Sequence, residues 1–493
     1  MLLIIGRRQS AECRFVRPPI PLGPVGSTLA ALALSINVCA AEVNPVASNQ
    51  RSLLNPAPMA NQPSLKAAEA KGRDPKPKLP SMSKSVTDIG CLANHRMISR
   101  ADTSDAETNT RSFDYLGYEL LEYLTNSTRT SETYPRTKAP QATNLVFSPY
   151  SVGEVLGMLR VGARSETGTE IAHVLGWSDV AIGTQTDQVA LPQTQLKCSA
   201  QDEYSPQLFI ANGLIIKKGI SVDAGYLSRM HEAYGAEIFQ NASPDQVNHW
   251  VEVSTAGKIN KIIDLPLDQK SAAIAVSAIY FKARWLMPFP KKWTSSGKFM
   301  LSNARSIRVP MMRRAGRFAT VTGDTSRAIR LPYAGEDGAL AMIVVVPNDP
   351  TWTAHEMGII NTAQIKKLIT ALQNASQQRL WLEMPRFTIE QQFDLAKPLQ
   401  AFGMKRAFEA GADFSGIVSS GLRLGAIQHR AMISVTEDGT EAAATTTALV
   451  EDAASPPSFK IDRPFLFFVV HEPNRAILFA GQVVEPAAAK NGR

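Results

Sequence analysis

The chain has 493 residues, four Cys and a formal net charge of +8. With 44% hydrophobic and 19% charged residues it can bury a large core, which excludes a disordered chain, a collagen and a disulfide-rich miniprotein. At roughly 150 residues per domain the length alone gives about three domains, a prior that single large domains exceed.

The charge is uneven. Residues 1–100 hold 13 Lys and Arg against 5 Asp and Glu, the whole of the +8, together with 11 of the 31 Pro. The remainder is electrically balanced, which argues against nucleic-acid binding by the body of the chain. Residues 28–38 form a short apolar run ending in Cys39-Ala40-Ala41, with Arg7, Arg8, Arg14 and Arg17 before it. That pattern reads as a secretory leader over residues 1–41, cut after Ala40 or Ala41. A non-secretory transit sequence is the alternative and would leave the protein intracellular.

Residues 42–108, rich in Pro, Ser and Lys, read as a flexible linker. Its mild basicity also offers weak docking on a glycosaminoglycan or another anionic surface. Loss of the leader leaves Cys91 and Cys198, as one bridge or as two free thiols. Candidate N-glycosylation sequons stand at Asn126, Asn241 and Asn374, and matter only if the chain is secreted.

The body covers residues 109–487, with a short tail at 488–493. Phe113–Leu124 carries Leu at helical spacing, and Asn144–Ser148 reads as a short strand stopped by Pro149. Ser151 and Glu154 read as a capping box opening a helix through Leu159. Thr167–Leu175 is a further helix. Apolar strands are predicted at Leu208–Ile216, Ala273–Lys282, Leu340–Val346, Leu380–Ile389, Arg430–Val435, Phe465–Val470 and Ala476–Val484. Helices are predicted between them at Asn248–Lys261, Thr362–Ala375 and Phe393–Phe402. The pattern is α+β, with no internal repeat.

No Cys-x-x-Cys, His-Glu-x-x-His, G-x-G-x-x-G, phosphate-loop or G-x-S-x-G motif is present, and the seven His are scattered. Nothing in these motifs points to an enzyme, a metal or a cofactor. The unusual stretch is 436–450, Thr-Glu-Asp-Gly-Thr-Glu followed by small Ala and Thr residues, then Leu-Val. In isolation it reads as a low-complexity surface loop. As a strand it would turn Thr440, Ala442, Ala444, Thr446, Ala448 and Val450 to one face and Glu441 to the other. No Pro interrupts it before Pro456, so its backbone can enter a ladder.

Here the sequence resembles the serpin family of serine protease inhibitors over about residues 110–487. The motifs that carry the resemblance are Asn144-Leu-Val-Phe-Ser-Pro-Tyr-Ser151, Leu208-Phe-Ile-Ala-Asn212, Ala278-Ile-Tyr-Phe-Lys282 with Trp285, Phe289 and Thr294, Leu331-Pro-Tyr333, Met384-Pro-Arg-Phe387, Ala412-Asp-Phe-Ser-Gly416, His429-Arg-Ala431, Arg463-Pro-Phe465 and Leu478-Phe-Ala-Gly481. Each is weak alone; their order and spacing are specific.

The resemblance implies three β-sheets, about nine helices and an exposed reactive-centre loop near the C-terminus of a monomer. It implies a suicide mechanism, in which a target protease cuts the loop, is held as an acyl-enzyme, and is carried off as the loop inserts into the main sheet. The hinge would be Glu437, Asp438, Gly439, Thr440, Glu441, Ala442, Ala443, Ala444 and Thr445. In typical inhibitors the hinge Glu stands seventeen residues before the cut, counted inclusively, which from Glu437 ends at Ala453 and places the reactive bond at Ala453-Ala454. Small Ala suits elastase- or subtilisin-like proteases. A cut one position earlier, Asp452-Ala453, would point instead to a caspase- or granzyme-B-like protease.

The sheet-opening region implied by the resemblance comprises Ser148, Ser151, Ser277, Trp285 and His429. Ser277 departs from the family pattern, which has Asn paired with the His at 429; Ser277, Ser148 or Ser151 is expected to partner His429 instead. Ala283 replaces a usual Gly. A non-inhibitory carrier, storage protein or chaperone is the competing function, but such members carry bulky, charged or Pro residues in the hinge. A docked inhibitor would use the basic extension with Arg305, Arg308, Arg313, Arg314 and Arg317.

Overall fold

The computed structural model describes residues 113–486, apart from 114, 126–142, 178–205, 265–271, 302–304, 336–338, 350–361, 420, 441–455 and 474. The leader, the linker, Asn126, both remaining Cys, the hinge from Glu441 to Thr445, Asp452, Ala453, Ala454 and the tail lie outside the described residues.

Helix α1 covers 115–125, with Leu116, Leu120, Leu121 and Leu124 buried. Strand β1 (Leu145–Phe147) runs into α2 (Pro149–Gly162). The capping residue of α2 is Ser148, whose side chain accepts from the Ser151 N–H, and Pro149 opens the first turn. Ser151 therefore lies inside the helix rather than before it. Pro149–Leu159 is buried all round, Glu154 included, and a Cβ on Gly153 would stand 2.3 Å from the Phe113 ring. Helix α3 (Ser165–Val174) follows directly.

Next come β2 (Gln207–Ile216), α4 (Ala224–Tyr234), β3 (Glu237–Gln240), α5 (Pro244–Ser254) and β4 (Ala273–Arg284). Helix α5 starts earlier than its apolar pattern suggests, because Ser243 and Gln246 form a capping box around Pro244. It ends earlier because Ala256 and Gly257 take positive φ. Strands β5 (Ser295–Met300), β6 (Ser306–Thr322) and β7 (Ser326–Pro332), which periodicity did not mark, precede the wholly buried β8 (Leu340–Pro347).

After α6 (Thr362–Asn374), the predicted strand Leu380–Ile389 is two strands, β9 (Gln377–Pro385) and β10 (Phe387–Asp394), in different sheets and broken at Arg386. β10 runs on to Asp394, so the helix expected there shrinks to α7 (Ala396–Ala401). β11 (Leu424–Val435), β12 (Gly439–Thr440), β13 (Ser458–Lys460), β14 (Phe465–His471) and β15 (Ala476–Val483) complete the order.

The architecture is α+β. Among the described residues there are seven α-helices and two single-turn 3-10 helices, Lys291–Trp293 and Arg406–Phe408. The strands form two hydrogen-bonded sheets rather than three. The larger runs β1-β15-β14-β8-β7-β6-β9-β13 with β5 also on β6; the smaller runs β10-β11-β12-β4-β2-β3. Two of the expected sheets merge because β6, 17 residues long, pairs with β5 and β9 along one part and with β7 along another. β14 and β15 are buried almost throughout, which explains their unbroken apolar runs. Helix α2 packs between the sheets against β4 and β15, and α5 covers the outer face of the smaller sheet through Val247 and Val251 near Val276 and Ala278.

Candidate functional site

The centre of the smaller sheet has an unusual seam. β2 pairs with β4 antiparallel over ten residue pairs, and β10 with β11 over eight, but β4 and β11 meet in parallel. That contact runs from Leu424 opposite Ala273 to Met432 opposite Tyr280 and then stops. Parallel pairs are slightly less stable per residue than antiparallel ones. Above the stop the strands diverge and β12 enters between them. Thr440 pairs with Val435 of β11 and with Ala283 of β4, antiparallel to both.

From Ala426 upward the register is continuous. His429 faces Ser277 and Met432 faces Tyr280 across the seam, and Val435 faces Ala283 at the same offset with Thr440 inserted between them. The chain has thus placed two residues of an extra strand in line with a gap its neighbours can extend.

The turn that delivers them is Thr436–Gly439. The Gly439 carbonyl accepts from the Thr436 N–H at 2.8 Å and from Thr436 Oγ1 at 3.2 Å. Gly439 has φ +150°, and a Cβ there would stand 2.1 Å from the Ala283 oxygen, so no other residue fits. Two buried acids pin the turn. Glu437 Oε1 accepts from Thr294 Oγ1 at 2.5 Å and Arg386 Nε at 2.7 Å, and Arg386 Nη2 pairs with it too. Asp438 pairs with Lys291 Nζ at 2.9 Å. Their carbonyls accept from the N–H groups of Phe289 and Trp285 at 2.8 and 3.0 Å. Trp285 donates its indole N–H to Thr436 O at 3.0 Å and stacks on Tyr333 at 4.6 Å. The buried Tyr333 hydroxyl meets Thr440 Oγ1 at 2.8 Å.

Lower in the seam, Ser148, Ser151, Ser277 and His429 come together with no solvent exposure. The Ser148 N–H can only donate, so His429 Nε2, at 3.0 Å, is the acceptor and the neutral ring carries its proton on Nδ1. That proton goes to Ser277 Oγ at 3.1 Å. Ser277 Oγ lies 2.7 Å from Ser151 Oγ, and Ser151 donates to Asn212 Oδ1 at 3.2 Å. Asn212 Nδ2 donates to Glu154 Oε2 at 2.8 Å. Burial lowers His429 to about 3. Burial raises Glu154 to about 7, against smaller lowering effects of hydrogen bonds from Tyr150 and Asn212.

Trp285 sits at the top of the seam, apart from this cluster. The sequence pattern offered no partner for Glu437 and misassigned Glu154 to a cap. Arg386 stands in the quoted Met-Pro-Arg-Phe motif, yet nothing local marks its charge as spent on residue 437. Of the arginines considered for anion docking, Arg313 is paired with Glu383 at 2.9 Å and Arg314 is buried, donating to Pro288 O at 2.6 Å. Asn241 and Asn374 are exposed, but Ser243 of the Asn241 sequon is engaged as the cap of α5.

The smaller sheet thus has a parallel seam that is open at one end, with two residues of the following chain paired in the gap. The family model described as serpin (serine protease inhibitor) matches residues 125–486. The chain is 32% identical to Iripin-2 of Ixodes ricinus over 354 residues, 69% of this chain and 87% of that protein. It is 31% identical to glia-derived nexin of Rattus norvegicus over 358 residues, 70% of this chain and 88% of that protein. The chain belongs to the serpin family, whose general activity is protease inhibition. Among solved structures, human thyroxine-binding globulin superposes with a TM-score of 0.67 at 25% identity, covering 78% of this chain and 99% of that one. Native protease nexin-1, solved with heparin, does so with a TM-score of 0.65 at 24% identity, covering 77% and 100%.

Proposed function

We propose that this protein is a secreted, monomeric suicide inhibitor of serine proteases with small specificity pockets, of the elastase or subtilisin type, cut between Ala453 and Ala454. The supporting observation is Thr440, already paired with both Val435 and Ala283 in the register of the seam. The protease serine attacks the Ala453 carbonyl, forms an ester to it, and releases the Ala454 amine as the leaving group. The freed end then follows β12 into the sheet.

Continuing the ladder one for one lays Glu441 beside Lys282, Thr446 between Ser277 and His429, and Val450 beside Ala273. The twelve residues 439–450 match the twelve of β4. At about 3.3 Å per residue the insertion spans roughly 40 Å. It replaces one parallel contact by two antiparallel ones, adding on the order of ten ladder bonds at about 1 kcal/mol net each. The small side chains of 442–448 enter the core face without overpacking, and Thr446 supplies a hydroxyl where Ser277 and His429 lose one another. The native state is then a kinetic trap that one cut releases.

Incubation with pancreatic elastase, subtilisin, trypsin, chymotrypsin and caspase-8 tests this. An SDS-stable complex with elastase or subtilisin, and a released peptide starting at Ala454, is expected. A peptide starting at Ala453 after caspase-8 would move the cut to Asp452. Cleavage by all without a complex would establish the carrier or chaperone reading.

A further inference from the structure

The chain of hydrogen bonds beneath the seam runs one way, from His429 through Ser277, Ser151 and Asn212 to the carboxyl of Glu154. Three of its links join α2 to the β2–β4 pair: Ser151 to Ser277, Ser151 to Asn212, and Glu154 to Asn212. β2 and β4 share ten residue pairs, so a displacement of β4 would carry β2 with it. When β4 parts from β11, Asn212 leaves Glu154 with it.

We propose that Glu154 is a positioning residue for strand insertion, and that loss of its proton makes the seam easier to part; this rests on the loop-insertion reading above. In the closed sheet Glu154 is buried, at 6% exposure. The groups facing it are Tyr150 on its own helix, Tyr234 on α4 and Asn212 on β2; Arg229 on α4 acts on Tyr234. None of the causes that shift Glu154 is a cation. Tyr234 is raised by its own burial first and by the Glu154 charge second, and stays protonated. His429, at the far end, is held neutral by burial.

The sign follows from linkage. Burial holds the closed-state carboxyl at about 7, above the ordinary 4.5. Any opened state that admits water to it prefers the ionised form, so opening releases a proton and speeds up as pH rises toward 7. Ionisation also polarises the chain and tightens its bonds, by about 10–30% each. That opposing effect is small beside a tenfold factor for each unit by which the opened state returns toward the ordinary value.

The test is annealing of the synthetic peptide Thr-Glu-Ala-Ala-Ala-Thr-Thr-Thr-Ala-Leu-Val, the sequence of 440–450, to the full chain between pH 5.5 and 8.5. The expected rate rises about tenfold, for a one-unit return, and levels off above pH 7, while Glu154→Gln anneals at one slow rate throughout. An equal rise in Glu154→Gln, or a flat wild-type profile, overturns the proposal and leaves the insertion reading standing. Failure of the peptide to anneal at any pH overturns both. Should Glu154→Gln not fold, carbon-13 titration of Glu-labelled wild type decides: one carboxyl with a midpoint near 7 supports the proposal, and all midpoints below 5.5 overturn it.

Discussion

Gly439 approaches Ala283 so closely that a single added carbon on Gly439 would lie 2.1 Å from the Ala283 carbonyl oxygen and 2.6 Å from Arg284 Cα. Both obstacles are backbone, which cannot swing aside as a side chain can. Gly439→Ala should cost about 1–3 kcal/mol of native stability, as overpacking does. It should also expel β12 from the gap. The measurements are the urea midpoint and the number of inhibitor molecules consumed per protease, which is expected to rise.

Glu437 and Arg386 form the tighter of the two pairs that hold the turn. The Glu437 side chain is 3% exposed and that of Arg386 44%. Breaking a fully buried pair costs about 3–5 kcal/mol, and the half-exposed arginine reduces that to roughly 2 kcal/mol. Glu437→Lys adds repulsion, since it sets a third cation beside Arg386 and Lys291. The expected result is a lowered melting temperature and oligomers on native gels after mild warming. An unchanged melting temperature would remove Glu437 from the pinning of the turn.

The Tyr333–Thr440 contact offers a double-mutant cycle. Both hydroxyls are buried. Tyr333→Phe or Thr440→Val alone strands one polar group and should cost about 1–3 kcal/mol. The double variant leaves no orphan, so its cost should fall below the sum of the singles by about 1 kcal/mol. Additive costs would mean the hydroxyls do not depend on each other.

Glu154 and His429 predict an unusual stability profile. His429 is lowered from 6.5 to about 3, so its contribution is present above pH 6.5 and is lost as pH falls toward 3. Glu154 is raised from 4.5 to about 7, so its contribution is present below pH 4.5 and is lost as pH rises through 7. Between pH 4.5 and 6.5 the two slopes oppose and nearly cancel. Relative to wild type, Glu154→Gln should therefore gain stability with rising pH across that window, at about 1.4 kcal/mol per unit. Urea midpoints at three pH values check this, and parallel curves for the two proteins would refute it.

The reach of sequence reasoning divides along physical lines. β4, β14 and β15 were legible because strands buried on both faces are apolar nearly throughout. The turn at Gly439 was legible because a glycine ahead of a run of small residues marks a flexible pivot. β6 was missed because it serves two parts of one sheet, so its buried face switches: Val309 and Met311 are buried, but so are Met312 and Arg314. Glu154 was misplaced because Gly153 and Gly157 stand where a second apolar stripe would have shown α2 to be buried all round. Ser277 and His429 lie 152 positions apart, and only the parallel register makes them neighbours.

That parallel contact has a consequence for the protein in quantity. The gap between β4 and β11 reads backbone and small side chains, and the segment 439–450 of another copy offers the same ones. On the insertion proposed above, a chain's own segment would be favoured over another copy's because it is tethered, at an effective concentration on the order of millimolar for a short flexible link. A copy whose own segment is out competes on that scale. The contact so made is head-to-tail and does not close on itself. If the segment inserts as proposed, dilution should protect the protein, and storage at high concentration should favour linear strings of copies, each lending its strand to the next.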